Sequence, residues 1–231
     1  VAEYILAARE MGISILPVDV NKSVAEFGVE GKNIRFGFNA VKSMGRPTIT
    51  AIIEERTNNG DFHSMQDFIT RMAGVINKRT VEHLILAGAF DTRRGMMNVY
   101  ERMIDSAVKQ NKDAISGQMS LFDFVSEEDK QSLEMKVPDI QEFEKEDLLE
   151  REKEVLGVYV TGHPLDEYTG MWEKHISARS TDFLIDEETG QAKLMNGSKQ
   201  TIGGLISNIK VITPGSGQQM AYLTIEDFVG S

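Results

Sequence analysis

Apolar residues recur at helical spacing through most of the chain and switch to strand-like runs near its end. Tyr4, Ile5, Ala8 and Met11 share one face, which predicts a short amphipathic helix over residues 3–12 ended by Gly12. Residues 13–17 then read as an edge or terminal strand, because Pro17 cannot donate to a ladder. Residues 33–37 are strand-like, 38–43 a short helix and 45–47 a tight turn. A second helix over 48–57 places Ile49, Ile52 and Ile53 on one face. The pattern then repeats: a helix over 65–72, a turn over 75–78 and a helix over 80–87 closed by Gly88, with Val81, Leu84 and Ile85 on one side.

Beyond a longer helix over 96–113, residues 116–137 are rich in Ser, Gln and acids, with little periodicity, and read as a mobile linker. Pro138 starts a charged helix that runs to Leu156 and is ended by Gly157, with Ile140, Phe143, Leu148, Leu149, Val155 and Leu156 as its buried residues. Residues 201–212 and 220–225 are β-rich runs flanking a Pro- and Gly-containing connection, a β-hairpin. Residues 225–231 read as a strand that stops in mid-sheet, and two strands alone are marginal, so the chain is expected to be a piece of a longer one.

Charge sharpens this picture. Of 231 residues, 25 are Lys or Arg and 36 Asp or Glu, a net charge of -11. The imbalance sits in residues 126–174, with six basic and fifteen acidic side chains, whereas residues 1–95 carry twelve and eleven. A uniformly basic nucleic-acid binder is excluded, and a phosphate-binding surface in the first part is allowed. The absence of cysteine excludes disulfides, thiolate zinc sites and a Cys nucleophile. No apolar run approaches a membrane span, so the expectation is a cytoplasmic protein with no membrane partner.

The two helix–turn–helix units have the form of helix-hairpin-helix elements, whose turn amides and following helix N-terminus present N–H donors to a phosphate of duplex DNA. The candidate DNA-binding residues are Lys42, Ser43, Gly45 and Arg46 in the first turn and Asn77, Lys78 and Arg79 in the second. Ser43 stands where such a turn often has Gly, and the second turn, taken as 75–78, has no glycine. The other reading of both units is a plain helical hairpin with solvated charges. In the linker, Gln118, Leu121 and Phe122 form a polar residue followed by an aliphatic–aromatic pair, which either docks in a partner's pocket or tacks the loop onto its own domain. Gly215, Ser216 and Gly217 fit a hairpin turn rather than a dinucleotide loop, since Met220 replaces the third glycine. His63, His83, His163 and His175 are dispersed, and Glu144, Glu146, Glu152 and Glu154 read as a solvated helix face, so no metal site and no catalytic residue is assigned.

Four stretches carry a resemblance: Ile34-Arg-Phe-Gly-Phe-Asn-Ala-Val-Lys42, Asn77-Lys-Arg79, Ala87-Gly-Ala-Phe-Asp91 and Glu152-Lys-Glu-Val-Leu-Gly-Val-Tyr-Val-Thr-Gly-His-Pro-Leu165. Together with Leu16-Pro-Val-Asp-Val-Asn21 they resemble the bacterial C-family replicative DNA polymerases, the polymerase III alpha subunits. The resemblance implies a multidomain fragment that is mainly α, a tandem helix-hairpin-helix followed by the first strands of a β OB-type barrel. Its divisions would be the end of the fingers region (1–32), the tandem helix-hairpin-helix duplex-binding domain (33–115) and a linker with a clamp-binding motif (116–137). A charged helix with its connecting segment (138–198) and the start of an OB domain (199–231) would follow. It further implies duplex DNA, single-stranded template, the sliding clamp (beta subunit) and other replisome subunits as partners, with Gln118, Leu121 and Phe122 as the clamp motif. The catalytic palm and its Mg²⁺ would belong to the parent polymerase, leaving this fragment without cofactor or activity. A noncatalytic repair or recombination scaffold with the same modules is the alternative.

Overall fold

The computed structural model describes residues 1–90, 92–115, 135–186, 190–214 and 219–231. The chain forms two units, Ser14–Thr161 and the pair Val1–Ile13 with Gly162–Ser231.

In the Ser14–Thr161 unit, a three-stranded sheet is built from β1 (Ile15–Leu16), β2 (Gly28–Glu30) and β3 (Asn33–Arg35). Strand β3 is central, parallel to β1 with Ile15 opposite Ile34 and antiparallel to β2 with Val29 opposite Ile34. Arg35 ties the sheet together, donating to the Glu30 carboxylate and to the Pro17 carbonyl. The chain leaves β3 through Phe36 and Phe38, both fully buried, and the glycine between them has a steric reason. A Cβ on Gly37 would sit 2.1 Å from the Glu26 carbonyl oxygen, so no other residue fits this approach. The upstream Leu16–Asn21 stretch is fixed by Asn21, whose side chain accepts from the Phe62 amide at 2.8 Å and donates to the Phe62 carbonyl at 2.9 Å.

A short 3₁₀ turn at Phe38–Ala40 follows, then α2 (Arg46–Asn59), α3 (Met65–Arg71), α4 (Lys78–Leu86), α5 (Arg94–Met97), α6 (Tyr100–Ile115) and α7 (Lys145–Leu156). Helix α4 packs on both α6 and α7. Ile49, Ile52, Phe68, Ile69, Met72, Leu84, Ile85 and Met103 form the core, and of these Ile49, Ile52, Leu84 and Ile85 are expected from their helical spacing. Each contributes on the order of 2 kcal/mol of burial. Gly88 and Gly157 lie just past α4 and α7 at positive φ, as expected for helix-ending glycines.

Three expectations are corrected in this unit. Residues 45–47 are not a free turn: Gly45 is the extended N-cap of α2 and Pro47 lies in its first turn, where its fixed φ suits a helix. The single helix over 96–113 is two, α5 and α6, because the Asn98 and Val99 amides bond three residues back, to Gly95 and Met96. The charged helix starts at Lys145 rather than Pro138. Glu142 accepts from the Arg93 amide at 2.7 Å, the Arg94 amide at 2.9 Å and the Phe143 amide at 2.9 Å, so tertiary bonds hold Ile140 and Phe143 outside the helix. Burial opposes ionisation of Glu142, but these amide donors outweigh it and hold its pKa below the usual carboxylate value.

The second unit contains α1 (Ala2–Glu10), α8 (Thr169–His175) and the antiparallel hairpin β4 (Leu205–Ile212) and β5 (Met220–Glu226), with Ile209 opposite Leu223. Residues 215–218, in the connection, lie outside the described residues. The expected final strand over 225–231 stops at Glu226. The buried Asp227 carboxylate accepts from the Val229 and Gly230 amides and from Ser180, so those amides turn inward rather than into a ladder. His163 is also buried in this unit, its Nδ1 accepting from the Leu165 amide at 3.1 Å. A helical region followed by paired strands is the fold class expected from the sequence. No described helix is long and apolar enough to cross a membrane.

Candidate nucleic-acid interface

The first turn runs from Val41 to the start of α2. Ser43 takes φ 66°, the sole positive φ outside glycine among the described residues. Serine here adopts the conformation for which such turns use glycine, and the chain is thereby aimed into Gly45 and α2. Gly45 offers no side chain to cap α2, and Pro47 has no N–H. The Arg46 and Thr48 amides are left without an acceptor among the described residues, at the positive end of a 14-residue helix. Ser43, Gly45 and Arg46 are all exposed, and Arg46 makes no hydrogen bond or ion pair among the described residues.

Lys42 behaves differently. Its amide donates to the Val155 carbonyl at 2.9 Å, its Nζ donates to the Glu154 carbonyl at 2.6 Å, and its own carbonyl lies 2.8 Å from His83 Nδ1. It is a tie between the turn, the last carbonyls of α7 and the side of α4, where a cation complements the helix C-terminus.

The second turn lies between α3 and α4 and begins earlier than the 75–78 expected from sequence, so that it includes a glycine. Gly74 sits at φ 92°, and the Val75 and Ile76 amides bond back to the Met72 carbonyl. Both turns therefore contain one left-handed residue shortly before the second helix. Asn77 is the N-cap of α4, its Oδ1 accepting from the Thr80 amide at 2.9 Å and the Thr80 hydroxyl at 3.2 Å. Lys78 Nζ lies 3.1 Å from Asp105 Oδ1 and 3.5 Å from Glu101 Oε2. The hydrogen bond that the ammonium donates to Asp105, helped by the charges of Asp105 and Glu101 and opposed by desolvation, holds the ammonium's pKa above the ordinary lysine value. Arg79 is exposed and unpaired among the described residues.

Of the seven predicted residues, all lie at the two turns. Ser43, Gly45, Arg46 and Arg79 are open, Asn77 is spent on its helix, and Lys42 and Lys78 already have partners. Gln118, Leu121 and Phe122 lie outside the described residues.

The support behind the turns was not foreseen. Glu152, expected on a solvated face, is completely buried and accepts from Arg93 Nη2 at 3.1 Å, the Thr161 amide at 2.8 Å, the Thr161 hydroxyl at 2.9 Å and the Val160 amide. The signal was present in the sequence: Leu149, Glu152 and Leu156 recur at the spacing of the apolar face of α7. This carboxylate closes the chain after α7 back onto the helix. The Mg²⁺ that the resemblance assigns to a parent polymerase does not fit these carboxylates. Glu152 and Asp227 are saturated by protein donors, and among the described residues no three His, Asp or Glu side chains gather to hold a metal ion.

Comparison with known proteins agrees with this geometry. Residues 12–98, which include both turns, match the helix-hairpin-helix motif family. Over its full length the chain is similar to a segment of one particular protein, DNA polymerase III subunit alpha. It is 35% identical over 239 residues to that of Thermus aquaticus, covering 100% of this chain and 18% of the relative. It is 33% identical over 234 residues to that of Borreliella burgdorferi, covering 99% and 20%, and 32% identical over 239 residues to that of Deinococcus radiodurans, covering 100% and 18%. The chain thus spans about a fifth of the length of the curated relatives it matches, and the resemblance seen in its motifs extends along all of it.

Proposed function

We propose that this chain is the part of a bacterial replicative DNA polymerase that grips duplex DNA without reading its sequence and tethers the enzyme to its sliding clamp. The observation that carries the duplex reading is the start of α2, where uncapped amides, the helix dipole and a free Arg46 converge on one exposed point behind a glycine-like Ser43. Arg79 supplies the corresponding free charge at α4. The clamp contact rests on Gln118, Leu121 and Phe122. The β4–β5 hairpin is read as the first part of an OB module that engages single-stranded template. Nucleotide incorporation, with its Mg²⁺, belongs to the rest of the polymerase, in the cytoplasm and among the other replisome subunits.

The test is duplex binding by the chain against salt. Arg46→Glu with Arg79→Glu should cost about tenfold or more at low salt and flatten the salt dependence, with an unchanged melt. Unchanged affinity in that variant rejects the turns as the site. Leu121→Ala with Phe122→Ala should abolish clamp binding with the duplex affinity intact.

A further inference from the structure

Lys78 occupies the first position of α4 and points at two carboxylates of α6. Glu101 and Asp105 are four residues apart on that helix, so they stand one above the other and repel. Both reach the same ammonium: Asp105 through Oδ1 at 3.1 Å and Oδ2 at 3.2 Å, Glu101 at 3.5 Å. The side chains are 45%, 60% and 66% exposed for Lys78, Glu101 and Asp105, so the arrangement is a wet one that another anion can enter. A phosphate approaching the Lys78 and Arg79 amides at the start of α4 meets this ammonium first. The first turn has no counterpart, since Arg46 is unpaired among the described residues.

We propose that Glu101 and Asp105 compete with DNA phosphate for Lys78, and that this competition sets how strongly the second hairpin holds a duplex. The inference rests on the duplex-binding reading above and adds its regulation. Without the two carboxylates, Lys78 is a free cation that displaces a counterion from the duplex. With them, it must exchange one anion for another and gains little.

The experiment measures the affinity of the chain for a short blunt duplex by anisotropy over a range of salt. Glu101→Gln with Asp105→Asn should bind about tenfold tighter at low salt, with a salt slope steeper by about one. On a Lys78→Met background the same pair of changes should have no effect, because the ammonium they release is gone. Glu146→Gln with Glu150→Gln, an equal charge change on the exposed face of α7, should alter affinity about twofold at most. An equal gain on the Lys78→Met background, or in the α7 control, shows that only overall charge matters and overturns the proposal. Unchanged affinity in the Glu101/Asp105 variant, with Arg46→Glu and Arg79→Glu still losing binding, overturns the competition and leaves the duplex reading standing. A parent chain that binds no duplex at low salt removes both.

Discussion

Before α2 the left-handed position is filled by Ser43, φ 66°, and the helix starts on a glycine with no capping side chain. Before α4 it is filled by Gly74, φ 92°, and the helix starts on Asn77, whose oxygen satisfies the Thr80 amide. The cation at the first helical position is free in α2, Arg46, and shared between two carboxylates in α4, Lys78. The same backbone device is thus balanced differently: the start of α4 satisfies its Thr80 amide and its first cation internally, while the start of α2 leaves its amides and Arg46 for a ligand. A helix N-terminus that is internally capped gains stability, and one that is open gains the capacity to bind an anion.

The two turns share one support, and removing it has the largest expected effect. Helix α7 takes Lys42 on its last carbonyls, packs on α4 and is fixed by the buried Glu152 with Arg93. Glu152→Ala leaves a nearly buried guanidinium and three other donors without their acceptor and should cost about 3–5 kcal/mol in urea unfolding. Glu152→Gln, which keeps an acceptor oxygen, should cost less. A loss below about 1 kcal/mol for the alanine variant would mean that the turns stand without α7.

Glu152 also shows where sequence reasoning reaches and where it stops. The helices of the hairpin region, their apolar faces, Gly88 and Gly157 as stops, and the β4–β5 pairing follow from local periodicity and turn chemistry. What local pattern could not reveal is set by distant partners. Residues 138–144 have a helical start signal but are held outside the helix, because the Glu142 carboxylate meets the amides of Arg93 and Arg94. Asp227 likewise ends β5 by collecting amides from its own turn and from Ser180. At the candidate site the residue types and their turns were legible, but which cations were free was not. Lys42 is satisfied by carbonyls more than a hundred positions away and Lys78 by a helix 23 or more positions on, and no spacing rule encodes either.

The next effect separates the turns. Asn77→Ala removes the side chain that caps α4 and should cost about 1 kcal/mol, read from the urea midpoint. Its effect on duplex affinity should be small, because the capped Thr80 amide is not one that a phosphate uses. Gly45→Asp makes the opposite change at α2. The φ of -85° suits any residue, and a Cβ there meets only Pro47 Cδ at an ordinary 3.7 Å. A carboxylate cap on the helix dipole should stabilise the chain by about 0.5 kcal/mol and lower duplex affinity about tenfold, since it takes the amides and repels the phosphate. Stability rising with affinity unchanged would remove the start of α2 from the interface.

The smallest effect tests why Ser43 differs from Gly74. A non-glycine residue in the left-handed region carries a steric cost of roughly 1 kcal/mol, which Ser43→Gly relieves. Glycine also widens the unfolded ensemble, which costs about 0.5–1 kcal/mol on folding. The two nearly cancel, and a net gain of about 0.3 kcal/mol is expected in the urea midpoint, with the slope unchanged. Among the described residues the Ser43 side chain has no hydrogen-bond partner, so nothing is lost with its hydroxyl. The turn's amides keep their direction, and duplex affinity should stay within about twofold of the parent. A clear drop in affinity with stability preserved would show that the hydroxyl itself meets the phosphate. Serine would then stand in the glycine position as a ligand and not merely as a tolerated substitute.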